Sequence, residues 1–401
     1  MRISFSFLTG MLALCSAAAA QIAVVGGTVH TSAGEPITNG VVLVRNGKIE
    51  SVGPASSVRI PTGYRTAKAA VVTPGLIDAH SVVGLSGYLN QPHDQDQREV
   101  SAPIQPDLRA MDAYNARERL VEWVRGFGVT TVHTGHGPGA LISGQTMIVK
   151  TREEPVARSV LVPEAMLAVT IGDSARVQQG KSPGTRAKML AMLRSELLKA
   201  QDYARKRQKD DSSQARDLRL DVLRRVLNRE LPLLVTAQRA RDILRALRLA
   251  EEFNIRVVLD GAAEAPLVIE EVKRAGVPVI VHPAMYRSSG ETENLSFETA
   301  AKLHQAGIPL ALQSGFEAYV PKTRVVLFEA AVAAANGLGP RAALDSITIG
   351  AARILGIDKR AGSLEPGKDA DIALYDGNPF EYTTHCTGVM IDGELVSEEL
   401  H

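Results

Sequence analysis

Three histidines stand at the ends of short apolar runs. They are His80 after Leu76-Ile77-Asp78-Ala79, His133 after Val129-Thr130-Thr131-Val132, and His282 after Val277-Pro278-Val279-Ile280-Val281. Imidazole binds zinc and trades protons near neutral pH. Strand-end positions point at one cavity, so the three could share a divalent metal such as zinc. They would equally serve as hydrogen-bond partners of backbone or ligand in a polar pocket. His136 follows closely in His133-Thr134-Gly135-His136-Gly137. Asp94 and Asp96, in the loop Gln91-Pro92-His93-Asp94-Gln95-Asp96, could act as acid and base or simply be solvated. Lys150 and Glu264 are further polar groups expected beside the same cavity. The segment Gly135–Gly144 is glycine-rich but has no Gly-Lys-Ser/Thr, which argues against nucleotide binding.

These residues need elements to position them. From about residue 233 the chain alternates. Apolar strands begin at Leu233, Ile255, Val277 and Ile308, and each is expected to be followed by a helix. Ile243, Leu244, Leu247, Ala250 and Phe253 mark the first such helix, 264–275 the next and 297–306 a third. Repeated strand–helix units predict a parallel sheet with helices outside. Earlier strands are expected at Gly75–His80, Val129–His133, Thr146–Lys150 and Met166–Ile171, making eight in all. Eight predict an α/β fold closed as a (β/α)₈ barrel over 74–356, with an open doubly wound sheet as the alternative. Residues 185–230 form a charge-rich insertion with two helical patterns and a polar break at 205–213. It reads as a solvated helical hairpin, or as a cap over the barrel mouth or a dimer contact. Both chain ends read as β. A Gly26-Gly27 turn and hairpins at Asn46-Gly47 and Asp392-Gly393 are expected there. Residues 21–73 and 357–401 are therefore assigned to one small β-sandwich.

Val71-Val72-Thr73-Pro74-Gly75-Leu76-Ile77-Asp78-Ala79-His80 resembles the first barrel strand of the amidohydrolase superfamily, in its imidazolonepropionase-like branch. Ala351-Ala352-Arg353-Ile354-Leu355-Gly356, and Gly362-Ser363-Leu364-Glu365-Pro366-Gly367-Lys368-Asp369 leading into Ala370-Asp371-Ile372-Ala373, resemble that family's return to its sandwich. The resemblance spans nearly the whole mature chain and implies metal-assisted hydrolysis of non-peptide carbon–nitrogen bonds. The family pattern is His-x-His on strand one, His on strands five and six, Asp on strand eight and often a carboxylated Lys on strand four. Matched to it, His80 remains, while Val82, Gln238, Gly261 and Gly315 stand at ligand positions. No Lys closes strand four at Thr170-Ile171-Gly172-Asp173, and Asp260 is the only alternative ligand within one residue of the strand-six or strand-eight position. One His does not hold a catalytic zinc, which takes three protein ligands. Two readings follow: a hydrolase of non-peptide carbon–nitrogen bonds with an unusual site, or a non-catalytic protein binding a small ligand or a partner on the same fold. His80, His133, His136, Gln238 and His282 are the candidates at the mouth. The metal-binding alternative is the trio His80, His133 and His282.

Of 401 residues, 45% are hydrophobic and 22% charged, which suits a large core and excludes a disordered chain. A net charge of +1 gives no reason to expect nucleic acid or an anionic membrane. Arg2, the apolar stretch Phe5–Leu14 and Ser16-Ala17-Ala18-Ala19-Ala20 read as a secretory leader cleaved after Ala20. Export to the periplasm or medium is thus expected. The mature chain would keep Cys386 alone and form no intrachain disulfide. A homo-oligomer is compatible with the sequence.

Overall fold

Strands from the two chain ends, about 300 residues apart, lie side by side. In the computed structural model β1 (Ile22–Val29), β2 (Ile37–Arg45), β3 (Lys48–Pro54) and β4 (Arg65–Pro74) come from the front of the chain. Strands β15 (Ile372–Tyr375), β16 (Cys386–Ile391) and β17 (Glu394–Ser397) come from its end. Together they form one seven-stranded sheet in the order β17-β16-β15-β4-β1-β2-β3, hydrogen-bonded continuously and not as two separate layers. The structure describes residues 21–89, 91–153, 155–177, 181–209, 215–316 and 325–398. The expected leader, 1–20, lies outside them. Asn46-Gly47 and Asp392-Gly393 make the expected tight hairpins, with φ of 53° and 76°, and 50° and 76°. Gly26-Gly27 makes no turn: β1 runs straight through it. A Cβ on Gly27 would stand 2.9 Å from the Ala70 carbonyl, so this pair serves close strand approach.

The remaining strands are β5 (Leu76–Ser81), β6 (Val129–Thr134), β7 (Ile142–Gln145), β8 (Met147–Lys150), β9 (Val160–Val162), β10 (Leu167–Thr170), β11 (Leu233–Ala237), β12 (Val257–Gly261), β13 (Val279–Val281) and β14 (Leu310–Leu312). Strands β10 to β14 pair in parallel, in order. At one end β14 meets β5 through the Ser81–Gly315 bridge. At the other, β7 and β8 are one run broken at Thr146, which bonds both ways with the Ala165–Met166 backbone. Eight staves therefore surround one interior, as a barrel does. The third stave is reversed, however: β8 is antiparallel to β6 and β7 antiparallel to β10. The physical reason is the short link 135–141. A parallel return needs a crossover of about a dozen residues or more.

The helices bury one stripe each against the staves. Ala240–Phe253 buries Ile243, Ala246, Leu247 and Leu249 and ends on Asn254 at φ 51°. The helix Ile349–Leu355 closes the barrel floor. Its Ala351, Ala352 and Leu355 pack with the inward-facing Ile77, Met166, Leu234, Val258 and Ile280. The insertion forms two helices, Arg186–Lys209 and Leu218–Leu227. The first runs on into the expected polar break, and 210–214 lie outside the described residues. Met189, Leu193, Leu197, Val222, Leu223 and Val226 are buried in the same apolar cluster as the helix Ala240–Phe253. Arg194 also forks onto Glu252 of that helix. The hairpin thus lies along the barrel flank. Among the described residues no helix is long and apolar enough to cross a membrane.

Candidate functional site

Above the apolar floor the barrel interior turns polar. His80 on β5 and Asp260 on β12 meet there, Nδ1 to Oδ1 at 2.9 Å, both buried. The same carboxylate accepts from the Thr236 hydroxyl at 2.6 Å and from Gln313 Nε2 at 2.8 Å. Asp78 accepts the Ser314 N–H at 3.0 Å and the His80 N–H at 3.3 Å. Next to His80, with ring centroids 5.6 Å apart, lies His133. Its Nδ1 is 2.6 Å from the Ala79 carbonyl, which only accepts, so Nδ1 carries the proton. Its Nε2 then accepts from the Thr146 hydroxyl, also at 2.6 Å.

These contacts divide the charge. Burial opposes a charged His80, but Asp260 outweighs it and raises the imidazole above its ordinary value. Burial likewise opposes an ionised Asp260, and the facing His80 and the hydroxyl and amide donors hold its carboxyl below the usual range. His133 is pushed down to about 3, by burial and by the positive His80 beside it. The pair of rings therefore holds one proton charge, on His80, next to one carboxylate. Burial also pushes Asp78 up to about 6.

His282 and His136 lie buried nearby. Each is lowered to about 4 by burial. His282 Nδ1 donates to the Pro283 carbonyl at 2.9 Å, and among the described residues its Nε2 meets no protein partner. Neither ring nitrogen of His136 has one among them. Thr236 and Gln238 open onto a cavity of about 450 Å³ at the strands' C-terminal ends, with Arg98, Tyr286, Glu291 and Phe316 in its wall. The Arg98 guanidinium lies 6.0 Å from the Phe316 ring centroid. Barrel proteins place their active sites at this end.

A solved amidohydrolase from Thermotoga maritima is 30% identical to this chain, covered over 100% of its length by 94% of this one, with a TM-score of 0.89. The chain belongs to the amidohydrolase family. The Amidohydrolase family model itself matches residues 220–396. Among curated relatives, an imidazolonepropionase from Solibacter usitatus is 25% identical over 88% of both chains. Amidohydrolase tasK from Hapsidospora irregularis is 26% identical over 88% of this chain, which spans only 39% of the relative's length. A molinate hydrolase shares the fold at 18% identity and a TM-score of 0.59.

In this chain the positions expected to hold family ligands are filled in other ways. The Gln238 amide lies over Gly261: a Cβ there would stand 2.3 Å from Gln238 Nε2. Gln238 Oε1 accepts the Ala263 N–H at 3.2 Å. A Cβ on Gly315 would stand 2.6 Å from Pro283 Cγ. Both glycines have positive φ, 78° and 66°, which disfavours any side chain. Val82 is buried. A metal needs neutral imidazoles with a lone pair free and carboxylate oxygens to spare. His80 holds a proton, both His133 nitrogens are engaged, and both Asp260 oxygens are engaged. Among the described residues no three His, Cys, Asp or Glu side chains gather as a metal group would. His282 Nε2 and both ring nitrogens of His136 stay free, two imidazoles where a catalytic zinc takes three protein ligands, so the described residues do not complete such a site.

The other candidates are structural or lie elsewhere. Glu264 accepts the Ala240 N–H at 2.7 Å and an Asn294 amide proton at 2.8 Å, which fixes the start of helix Ala240–Phe253. Asp94 accepts from the Gln91 N–H and from Gln95, holding its own turn, and Asp96 is exposed. Lys150 is not at the mouth. Because its strand is reversed, it ends at the opposite side of the barrel, where its Nζ meets Asp369 at 2.9 Å, Asp371 at 3.0 Å and Asp392. This buried cluster ties the sheet to the barrel. Sequence reading missed Thr236 and Gln313 as partners of Asp260. Their only signal was a polar residue near the end of an apolar strand.

Proposed function

We propose that this member of the amidohydrolase family holds a small polar molecule at the barrel mouth, above a charged His80–Asp260 pair, without a resident divalent metal. The observation that carries the reading is that pair. The positive charge a metal would bring is supplied by an imidazolium whose Nδ1 is locked by a carboxylate. Among the described residues His80 Nε2 has no protein partner, so it is the charged donor left to meet a ligand. A carbonyl or carboxylate oxygen suits it. Arg98 and Gln238 add donors in the cavity wall.

The second reading is hydrolysis of non-peptide carbon–nitrogen bonds. The family and the imidazolonepropionase relatives favour it. In this site protonated His80 would serve as the acid at the leaving nitrogen, oriented by Asp260. Elemental analysis of protein purified without chelators, and again after added zinc or manganese, separates these from a metal enzyme. The expected result is no stoichiometric metal in wild type, in His80→Ala or in Gly315→Asp. Stoichiometric metal that His80→Ala or His133→Ala removes would overturn the proposal. Turnover of amides or lactams by the metal-free protein, lost in His80→Gln, would establish the second reading.

We also propose export, on the strength of Arg2, the apolar run and the alanines before Gln21. Mass spectrometry of protein recovered outside the cytoplasm is expected to give a chain starting at Gln21. A cytoplasmic protein that keeps Met1 contradicts it.

A further inference from the structure

The face opposite the mouth carries an unusual concentration of arginine. The loops leading into β11, β12, β13 and β14 enclose a groove of about 940 Å³ at the N-terminal ends of these strands. Arg229, Arg248, Arg256, Arg274 and Arg353 line it, and all five are exposed. Among the described residues only Glu251 and Glu271 oppose them there. None of the five forms an ion pair among the described residues. Arg248 feels Glu252, and Arg353 feels Asp345 and Glu365, only at longer range. Arg229 and Arg256 use one nitrogen each on backbone or amide oxygens of Asn254 and Arg229. Among the described residues Arg248 and Arg274 form no hydrogen bond. The whole chain has a net charge of only +1, so this excess is local.

The groove floor is apolar. Leu247, Val257 and Val277 are buried beneath the guanidinium rim. Its volume falls at the upper end of the range for ligand sites, roughly 300–1,000 Å³. Guanidinium groups fork onto carboxylates, and an apolar floor rewards side chains between those charges. An inorganic polyanion would use the rim and leave the floor wet. Clustered like charges also raise the local concentration of an oppositely charged partner.

We infer that this groove is a docking site for an acidic peptide segment with interleaved apolar side chains, supplied by another protein. It lies at the far end of the barrel from His80, and does not depend on what the mouth binds.

The test uses the full mature chain and a fluorescent peptide of alternating Glu and Leu, followed by anisotropy. Saturable binding is expected, weaker at higher salt. The double variant Arg248→Glu/Arg274→Glu breaks no hydrogen bond or ion pair among the described residues, and should weaken binding at least about tenfold, given the energies of charge pairs at interfaces. The neutral Arg248→Gln/Arg274→Gln should show a smaller loss in the same direction, and serves if the reversed pair unfolds. Binding that both variants leave unchanged, or no binding at all, overturns the inference. Tripolyphosphate binding as tightly as the peptide also overturns it, because the floor would then contribute nothing.

Discussion

Asp260→Ala is expected to cost about 3–5 kcal/mol of stability near pH 5.5, the usual cost of stranding one member of a buried ion pair. The loss has three parts. His80 loses its counter-charge, Thr236 its acceptor and Gln313 one of its two acceptors. The pH dependence distinguishes them. The His80 pKa is raised in the fold, so its contribution is complete below the ordinary value of 6.5 and fades as pH rises through the folded pKa. The Asp260 pKa is lowered, so its contribution is complete above 3.8 and fades as pH falls through the folded pKa. The gap between wild type and Asp260→Ala should therefore be widest between pH 3.8 and 6.5 and narrow on the alkaline side. Urea unfolding at pH 5.5 and pH 8 reads it directly. An equal gap at both would show that the pair is not charged, and the proposed mouth chemistry would lose its basis.

Lys150→Met should destabilise the protein by a similar amount, about 3–5 kcal/mol. Asp369 keeps Lys48 and Arg360, and Asp392 keeps Arg152. Asp371 keeps no cation: among the described residues its only ion pair is with Lys150. Burial already raises its carboxyl despite Lys150. The double variant Lys150→Met/Asp371→Asn removes the stranded charge and should recover part of the loss. Equilibrium unfolding of the single and double variants measures both. If the double variant is no better than the single one, the loss comes from lost packing of the lysine stem and not from charge.

The sequence made the stave positions legible because each apolar run is short and bounded by turn residues. It could not show direction, since an apolar strand reads alike both ways. Lys150 was therefore placed at the wrong end of the barrel, although the short link 135–141 held the answer. His80, His133 and His282 were legible as strand-end residues. Their protonation was not, because it depends on which groups the closed barrel brings opposite them. Asp260 faces His80 across the interior, and Thr236 reaches it from the neighbouring stave. Such cross-barrel partners depend on register, which no local pattern encodes. Gly261 and Gly315 show a similar division. Their missing side chains are visible in the sequence, but Gln238 and Pro283 filling that space are not.

The seven-stranded sheet also sets an order of events during synthesis. Strand β4 sits between β1 and β15, with Val72 paired to both Val29 and Leu374. The first four strands emerge early and wait for a neighbour encoded about 300 residues later. At translation rates of roughly 5–20 residues per second, that wait lasts on the order of 15–60 s. Throughout it β4 offers an open edge that any extended chain could join. Whatever shields that edge on the ribosome decides how much of this protein reaches its final form.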